Sequence, residues 1–260
     1  MRPIYVKKLP WEFDIDRLQK ELQPLKSLFA PWDLNTRDDF NDAYVLGLLH
    51  SKDCLPEQRL YDSVRSFCPQ RPSVFSSSSG YKYNILKRII HDGTNFNRKL
   101  KRFETRKDYT IFNEDYLDTE FHNIYKKLSI YYEIDRVRIT MLNPLTTINW
   151  HQDSFENIHI PLEVNAGCRF VIDDQSYYLP ADGSSYQDDS CINHTVINAG
   201  LTARFNLLIS IAGYKEGSYK LCHHSDAYGL TGKHSDLNYI AEPIEQITEE
   251  DLYDVHTTRN

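Results

Sequence analysis

The sequence of 260 residues has no apolar run long enough to cross a bilayer as a helix, which excludes an integral helical membrane protein. Charged residues follow Met1-Arg2-Pro3-Ile4-Tyr5, where a secretory leader would carry an apolar stretch, so no export signal is expected. Cysteine is scarce and badly spaced for pairing: Cys54, Cys68, Cys168, Cys191 and Cys222 form no CxxC pair, and five is an odd number. Neither a zinc ribbon nor a disulfide framework is indicated, and reduced thiols in a cytoplasmic setting are the expectation. The sequence also lacks GxxxxGK[ST], GxGxxG and GxSxG, which removes the usual signatures of nucleotide binding and serine hydrolysis. No internal repeat is present.

Hydrophobic residues make up 40%, enough for a packed core rather than a disordered chain. A net charge of −7 disfavours a nucleic-acid footprint over the whole molecule. The balance reverses locally between Lys82 and Lys107, where nine basic residues face only Asp92 and Glu104. That segment reads either as a solvated face or as a docking surface for an acidic partner. The adjacent His223 and His224 alternate sides of any strand, so a solvated pair is the simpler reading there.

Three regions are expected. Residues 1–129 form an N-terminal helical or mixed region packing on a barrel, residues 130–215 a β-rich catalytic core, and residues 216–260 a polar C-terminal extension. In the first region Asp14 can cap a helix whose Ile15, Leu18 and Leu22 share a face. Tyr44 to Leu49 is a short apolar run, and Ser76 to Gly80 a loop. A second helix is expected over Glu114 to Ser129, where Tyr116, Leu117, Phe121, Ile124, Tyr125 and Leu128 recur at helical spacing.

From Ile130 the pattern becomes that of short strands. They are expected over Arg136–Leu142, Ile158–Leu162, Cys168–Ile172, Ser176–Leu179, Thr195–Asn198 and Phe205–Ile211, with turns at Asn143-Pro144 and Asp173-Asp174. Short strands closely spaced by turns read as a sandwich or barrel. The expected fold class is mainly β with flanking helices: a double-stranded β-helix, the cupin-like jelly roll, with the helices bracing its larger sheet.

The chemistry is concentrated in Asn149-Trp-His-Gln-Asp153. Positions i and i+2 of an extended strand point to one side, so His151 and Asp153 can reach a single metal ion. His194, at the start of a later strand, can supply a third ligand. Two histidines and a carboxylate occupy one face of an octahedron and leave three positions open, the arrangement that suits non-haem iron(II). Arg204 then gains meaning. On an apolar strand a buried arginine needs a partner, and the distal carboxylate of 2-oxoglutarate can accept its two parallel N–H bonds.

Taken in order, Arg138-Ile-Thr-Met-Leu-Asn-Pro144, Trp150-His-Gln-Asp153, Ile158-His-Ile-Pro-Leu162, Leu179-Pro-Ala-Asp-Gly183, Asn193-His-Thr-Val-Ile-Asn198 and Arg204 resemble the aspartyl/asparaginyl β-hydroxylase family over residues 130–212. The resemblance implies a hydroxylase using Fe(II), 2-oxoglutarate and O2 on a double-stranded β-helix. It implies His151, Asp153 and His194 as iron ligands and Arg204 on the C5 carboxylate of 2-oxoglutarate. Thr140 would add a hydroxyl there, and His159 would lie near the C1 carboxylate. In members acting on protein side chains an arginine can precede that histidine by two positions; here the place is Asn157. Some members lack the carboxylate ligand, whereas this chain keeps Asp153, as the free-amino-acid hydroxylases do. Trp150, Phe170, Tyr178 and Phe205 are candidates for an apolar cavity wall.

The leading expectation is oxidation of an amino acid, free or in a peptide or protein. Two alternatives stay open: the same cofactors acting on a nucleic-acid component, and a non-catalytic jelly-roll module holding metal or a small acid. A small-molecule or peptide partner is expected, without a membrane, and the oligomeric state is open.

Overall fold

The computed structural model describes residues 5–31, 43–52, 54, 56, 59–62, 96–97, 102–103, 109–148, 150–151, 153 and 156–219. The basic segment 82–107 (save its short strands), the loop at 76–80, the pair His223-His224 and the C-terminal residues 220–260 lie outside them.

The first strands are β1 (Val6–Glu12), β2 (Ala30–Pro31), β3 (Ala43–Gly47), β4 (Leu49–Ser51), β5 (Phe96–Asn97), β6 (Arg102–Phe103) and β7 (Tyr109–Phe112). The C-terminal half supplies β8 (Tyr132–Leu142), β9 (Thr146–Thr147), β10 (Asn157–Glu163), β11 (Cys168–Ile172), β12 (Gln175–Tyr177), β13 (Ser184–Asp188), β14 (His194–Asn198) and β15 (Arg204–Tyr214). Three α-helices are described: α1 (Ile15–Leu22), α2 (Arg59–Asp62) and α3 (Glu120–Ser129).

From β8 onward the chain alternates between two sheets. β8, β10, β13 and β15 lie together in the major sheet, in the order β13-β10-β15-β8; β9, β11, β12 and β14 make the minor sheet, in the order β12-β11-β14-β9. Eight strands in two facing four-stranded sheets with this connectivity are a jelly roll, the double-stranded β-helix. The neighbouring pairs are antiparallel throughout. Strands from before β8 also join the major sheet. β1 pairs with β13 at one side of the major sheet, and β3 followed by β2 extends the other side beyond β8.

Side-chain alternation in the major sheet explains both the core and the site. On one face Val137, Ile139, Ile158, Ile160, Leu162, Phe205, Leu207 and Ile209 merge with Leu18 and Leu22 of α1 and Phe121, Ile124 and Leu128 of α3 in one apolar cluster. This face is outside the jelly roll, and the helices cover it. The opposite face carries Arg136, Arg138 and Thr140 on β8, Asn157 and His159 on β10, and Arg204, Asn206 and Ser210 on β15, all buried. Because the period of a strand is two, the polar set is turned toward the minor sheet as a consequence of the apolar set facing the helices. A smaller apolar cluster between the sheets, including Leu142, Phe170, Ile172, Tyr186 and Val196, closes the interior.

Local signals set the helix ends. Asp14 is the N-cap of α1, accepting from Arg17 N at 3.0 Å. The single helix expected over Glu114–Ser129 is divided: Glu114–Tyr116 is a 3-10 turn, and α3 begins after Thr119, whose hydroxyl caps His122 N. Glu21, near the C-terminal end of α1, accepts from Glu120 N at 2.8 Å, tying the end of that helix to the start of α3. Gly183 sits at φ +89, where a Cβ would come within 2.2 Å of Phe13 O, and it receives the Phe13 N–H at 2.9 Å. Only glycine allows that approach, which seats the end of β1 against β13.

Candidate metal centre

His151 and His194 face each other across an isolated antiparallel bridge. His151 N donates to His194 O at 3.0 Å and His194 N to His151 O at 2.9 Å. Directly opposed residues project their side chains to one side, and the two imidazole rings have centroids 4.2 Å apart. Asp153 joins them: one ligand atom from each of His151, Asp153 and His194 lies within 4.8 Å of the others. The expectation that His151 and Asp153 share an extended strand is met only at His151. Asp153 lies outside any strand and is placed by other contacts, its main-chain N donating to Ser190 O at 2.8 Å.

The donor chemistry suits a divalent metal. His194 Nδ1 lies 2.9 Å from Ile192 O, and since a carbonyl only accepts, Nδ1 carries the proton and Nε2 keeps its lone pair. Burial pushes the His194 imidazole below its ordinary pKa, against a smaller upward pull from Asp188, and so favours the neutral form a metal requires. The Asp153 carboxylate uses Oδ2 to accept from Asn157 Nδ2 at 2.8 Å.

Arg204 opens β15 opposite Leu142, a residue of the inter-sheet cluster, so its side chain starts toward the same interior. Asn198 holds this corner, its Nδ2 lying 3.1 Å from Leu142 O, 3.0 Å from Asn143 O and 2.8 Å from Thr202 O, three carbonyls that share its two protons. The Arg204 side chain is buried, and among the described residues no carboxylate or hydrogen-bond acceptor pairs with its guanidinium. Burial pushes its pKa down to about 10, which still leaves it charged at neutral pH. A buried, charged and unpaired arginine is costly, and an acidic ligand entering between the sheets would remove that cost.

Thr140 is on the same face, paired in register with Asn206, and its hydroxyl donates to Asn206 O at 3.2 Å. A hydroxyl has one proton, so donation to a ligand carboxylate would require it to leave that carbonyl. His159 is committed at both nitrogens: Nε2 lies 2.7 Å from Asp188 Oδ2 and Nδ1 3.3 Å from Asn206 Nδ2. A contact from His159 to the C1 carboxylate would have to displace one of these partners. Burial alone would raise the Asp188 carboxyl, but the charge and hydrogen bond of His159, aided by His194 and the Asn157 N–H, hold it below the ordinary aspartate value.

Of the four candidates for an apolar wall, Phe170 fits. It is buried, with its ring centroid 5.1 Å from that of His159 and 5.5 Å from that of His194. Phe205 points the other way, into the helix-covered cluster, and packs edge-on against Phe29. Trp150 is 52% exposed, and Tyr178 carries the Arg169 guanidinium over its ring. The sequence reading missed Asp188, Asn206 and Ser210. Asn206 and Ser210 were visible as polar interruptions on one face of an otherwise apolar strand. Asp188 was hidden because Ser184-Ser-Tyr-Gln-Asp188 has too little apolar pattern to read as a strand.

Residues 120–213 match the family model described as Aspartyl/Asparaginyl beta-hydroxylase, which bears out the resemblance carried by the motifs. No curated protein matches the chain. Among solved structures, the chain is similar to an oxidoreductase of the 2OG-Fe(II) oxygenase family from Burkholderia pseudomallei, at 17% identity and TM-score 0.37, covering 79% of this chain and 82% of that one. It is also similar to the viral collagen prolyl hydroxylase of Paramecium Bursaria Chlorella virus-1, at 11% identity and TM-score 0.31 over 41% of this chain and 78% of that one. A cupin domain from Bordetella pertussis Tohama I matches at 22% identity and TM-score 0.27, over 30% of this chain and 81% of that one.

Proposed function

We propose that this chain is an iron(II)- and 2-oxoglutarate-dependent dioxygenase that hydroxylates an amino acid, free or within a peptide or protein. The observation that carries the reading is the pairing of two features in one jelly roll: the cluster of His151, Asp153 and His194, and the buried Arg204, whose guanidinium meets no carboxylate or hydrogen-bond acceptor among the described residues. A metal cluster alone suits many functions. A metal cluster with a cation reserved for a dicarboxylate suits this co-substrate.

In this reading His151, Asp153 and His194 hold the iron, and Arg204 receives the C5 carboxylate of 2-oxoglutarate through two parallel N–H bonds. When bound, iron and 2-oxoglutarate supply the oxidising chemistry, in which oxygen converts 2-oxoglutarate to succinate and carbon dioxide and one oxygen atom enters a substrate C–H bond. The chain's own residues bind, orient and shield. Ile192 O fixes the His194 tautomer; Phe170 places an apolar ring beside His194 and limits water there. Thr140 and His159 border the same interior, each already bonded within the protein.

The test is turnover. Protein purified without oxygen and reconstituted with iron(II) and 2-oxoglutarate is exposed to air, and succinate is measured beside a His151→Ala control. Succinate above the control is expected, with stimulation by an amino acid or peptide. Stimulation by a nucleotide instead would move the substrate assignment to nucleic acid. Absence of turnover together with absence of iron and 2-oxoglutarate binding would leave a jelly-roll binding module.

A further inference from the structure

Asp153 is half-buried and outside any strand, and among the described residues its main chain is held by one bond, to Ser190 O. What orients its carboxylate is Asn157. The Asn157 side chain is buried and all of its polar atoms are engaged. Nδ2 lies 2.8 Å from Asp153 Oδ2 and 2.8 Å from Ser190 Oγ; Oδ1 accepts from Ser210 Oγ at 2.7 Å; the main-chain N donates to Asp188 Oδ1 at 2.9 Å.

The direction of this chain of bonds is fixed at both ends. Arg138 Nη2 lies 3.1 Å from Ser210 Oγ, and a guanidinium only donates, so the Ser210 proton is free to go to Asn157 Oδ1. At the other end a carboxylate only accepts, so the atom facing Asp153 must be the amide nitrogen. The reversed amide would set two acceptors against each other at Asp153. Arg138, Ser210 and Asn157 therefore form a directed relay from the floor of the major sheet to one oxygen of Asp153.

We propose that Asn157 is a positioning residue for the metal site: by holding Asp153 Oδ2, it fixes the orientation in which the Asp153 carboxylate would meet an ion held with His151 and His194. The proposal rests on the metal-centre reading of His151, Asp153 and His194. Carboxylates that ligate metals are commonly oriented by such outer hydrogen bonds, whose removal weakens metal binding about 10–100-fold.

The test is a titration of the full-length protein with Co(II), without oxygen, following the visible spectrum of the bound ion. Four proteins are compared: wild type, Asn157→Ala, Asp153→Ala and the double variant. Asn157→Ala is expected to weaken Co(II) binding about 10–100-fold and to alter the spectrum. In the Asp153→Ala background the same substitution is expected to change nothing further, because Asn157 acts through Asp153. An equal loss in both backgrounds would show general loosening of the fold and overturn the proposal, as would wild-type affinity in Asn157→Ala. If Asn157→Ala does not fold, Ser210→Ala, which removes only the anchor of Asn157 Oδ1, is expected to give a smaller loss that again vanishes without Asp153. Wild-type protein that binds no Co(II) would overturn the metal centre itself and the proposal with it; tight wild-type binding unaffected by Asn157 would overturn the proposal alone.

Discussion

His151 and His194 are hydrogen-bonded to each other through their main chains, N to O in both directions, at 3.0 and 2.9 Å. The two imidazoles are therefore brought together by backbone pairing and not by each other's side chains. Replacing either histidine by alanine removes a ligand and leaves the bridge. His151→Ala and His194→Ala are each expected to lose more than about a hundredfold in affinity for a divalent ion, with little change in folding. Metal titration and thermal melting of the same samples check both halves.

Arg204 gives a prediction with opposite signs for stability and binding. Among the described residues no carboxylate or hydrogen-bond acceptor pairs with its buried guanidinium, so Arg204→Met replaces a desolvated cation with an apolar side chain of similar length. Stability is expected to rise by about 1–3 kcal/mol. Affinity for 2-oxoglutarate is expected to fall by roughly two to three orders of magnitude, the usual cost of losing one side of a buried charge pair. Denaturant unfolding and calorimetric titration measure the two effects. A variant that is less stable and binds normally would contradict the assignment.

Asp188 sets an acid limb of stability. Its folded carboxyl is held below the ordinary value, so the ionised form is favoured by folding. The contribution is fully present above the unfolded aspartate value, about 4, and is lost as pH falls through the lower folded one. Asp188→Asn is expected to be less stable than wild type by about 1–3 kcal/mol at neutral pH, with the difference shrinking at acid pH. Urea unfolding of both proteins from pH 7 to pH 2 checks the sign.

Gly183 tests the seating of β1 on the core. With φ +89 and Phe13 O where a Cβ would stand, Gly183→Ala is expected to cost at least about 1–3 kcal/mol. A urea midpoint equal to wild type would show that the turn can relax.

Much of this molecule was legible in its residues. Six strands and the cap at Asp14 follow from alternation and turn chemistry, and the spacing of His151 and Asp153 points to two side chains near one another, as the structure places them. The jelly roll itself is now seen in the strand order. What was not legible lay where local pattern and tertiary role diverge. β13 is polar in sequence but wholly buried, because β1 and β10 pair with it on both sides and its side chains are bonded inside. β1 itself carries lysines at Lys7 and Lys8, which masked its place in the sheet. The outer partners of the site, Asp188, Asn206 and Ser210, are far apart along the chain and meet only through sheet register. Helical spacing over Glu114–Ser129 hid the break at Thr119, because the apolar positions stay in phase across it.

In the proposed function, metal and 2-oxoglutarate share one site built from His151, Asp153, His194 and Arg204. The most direct measurement is calorimetric titration of 2-oxoglutarate into the protein without oxygen, with and without iron(II), beside Arg204→Met. Tight binding that requires iron(II) and is lost in the variant is the predicted result. Binding indifferent to both iron(II) and Arg204, or none at all with iron(II) present, would contradict it.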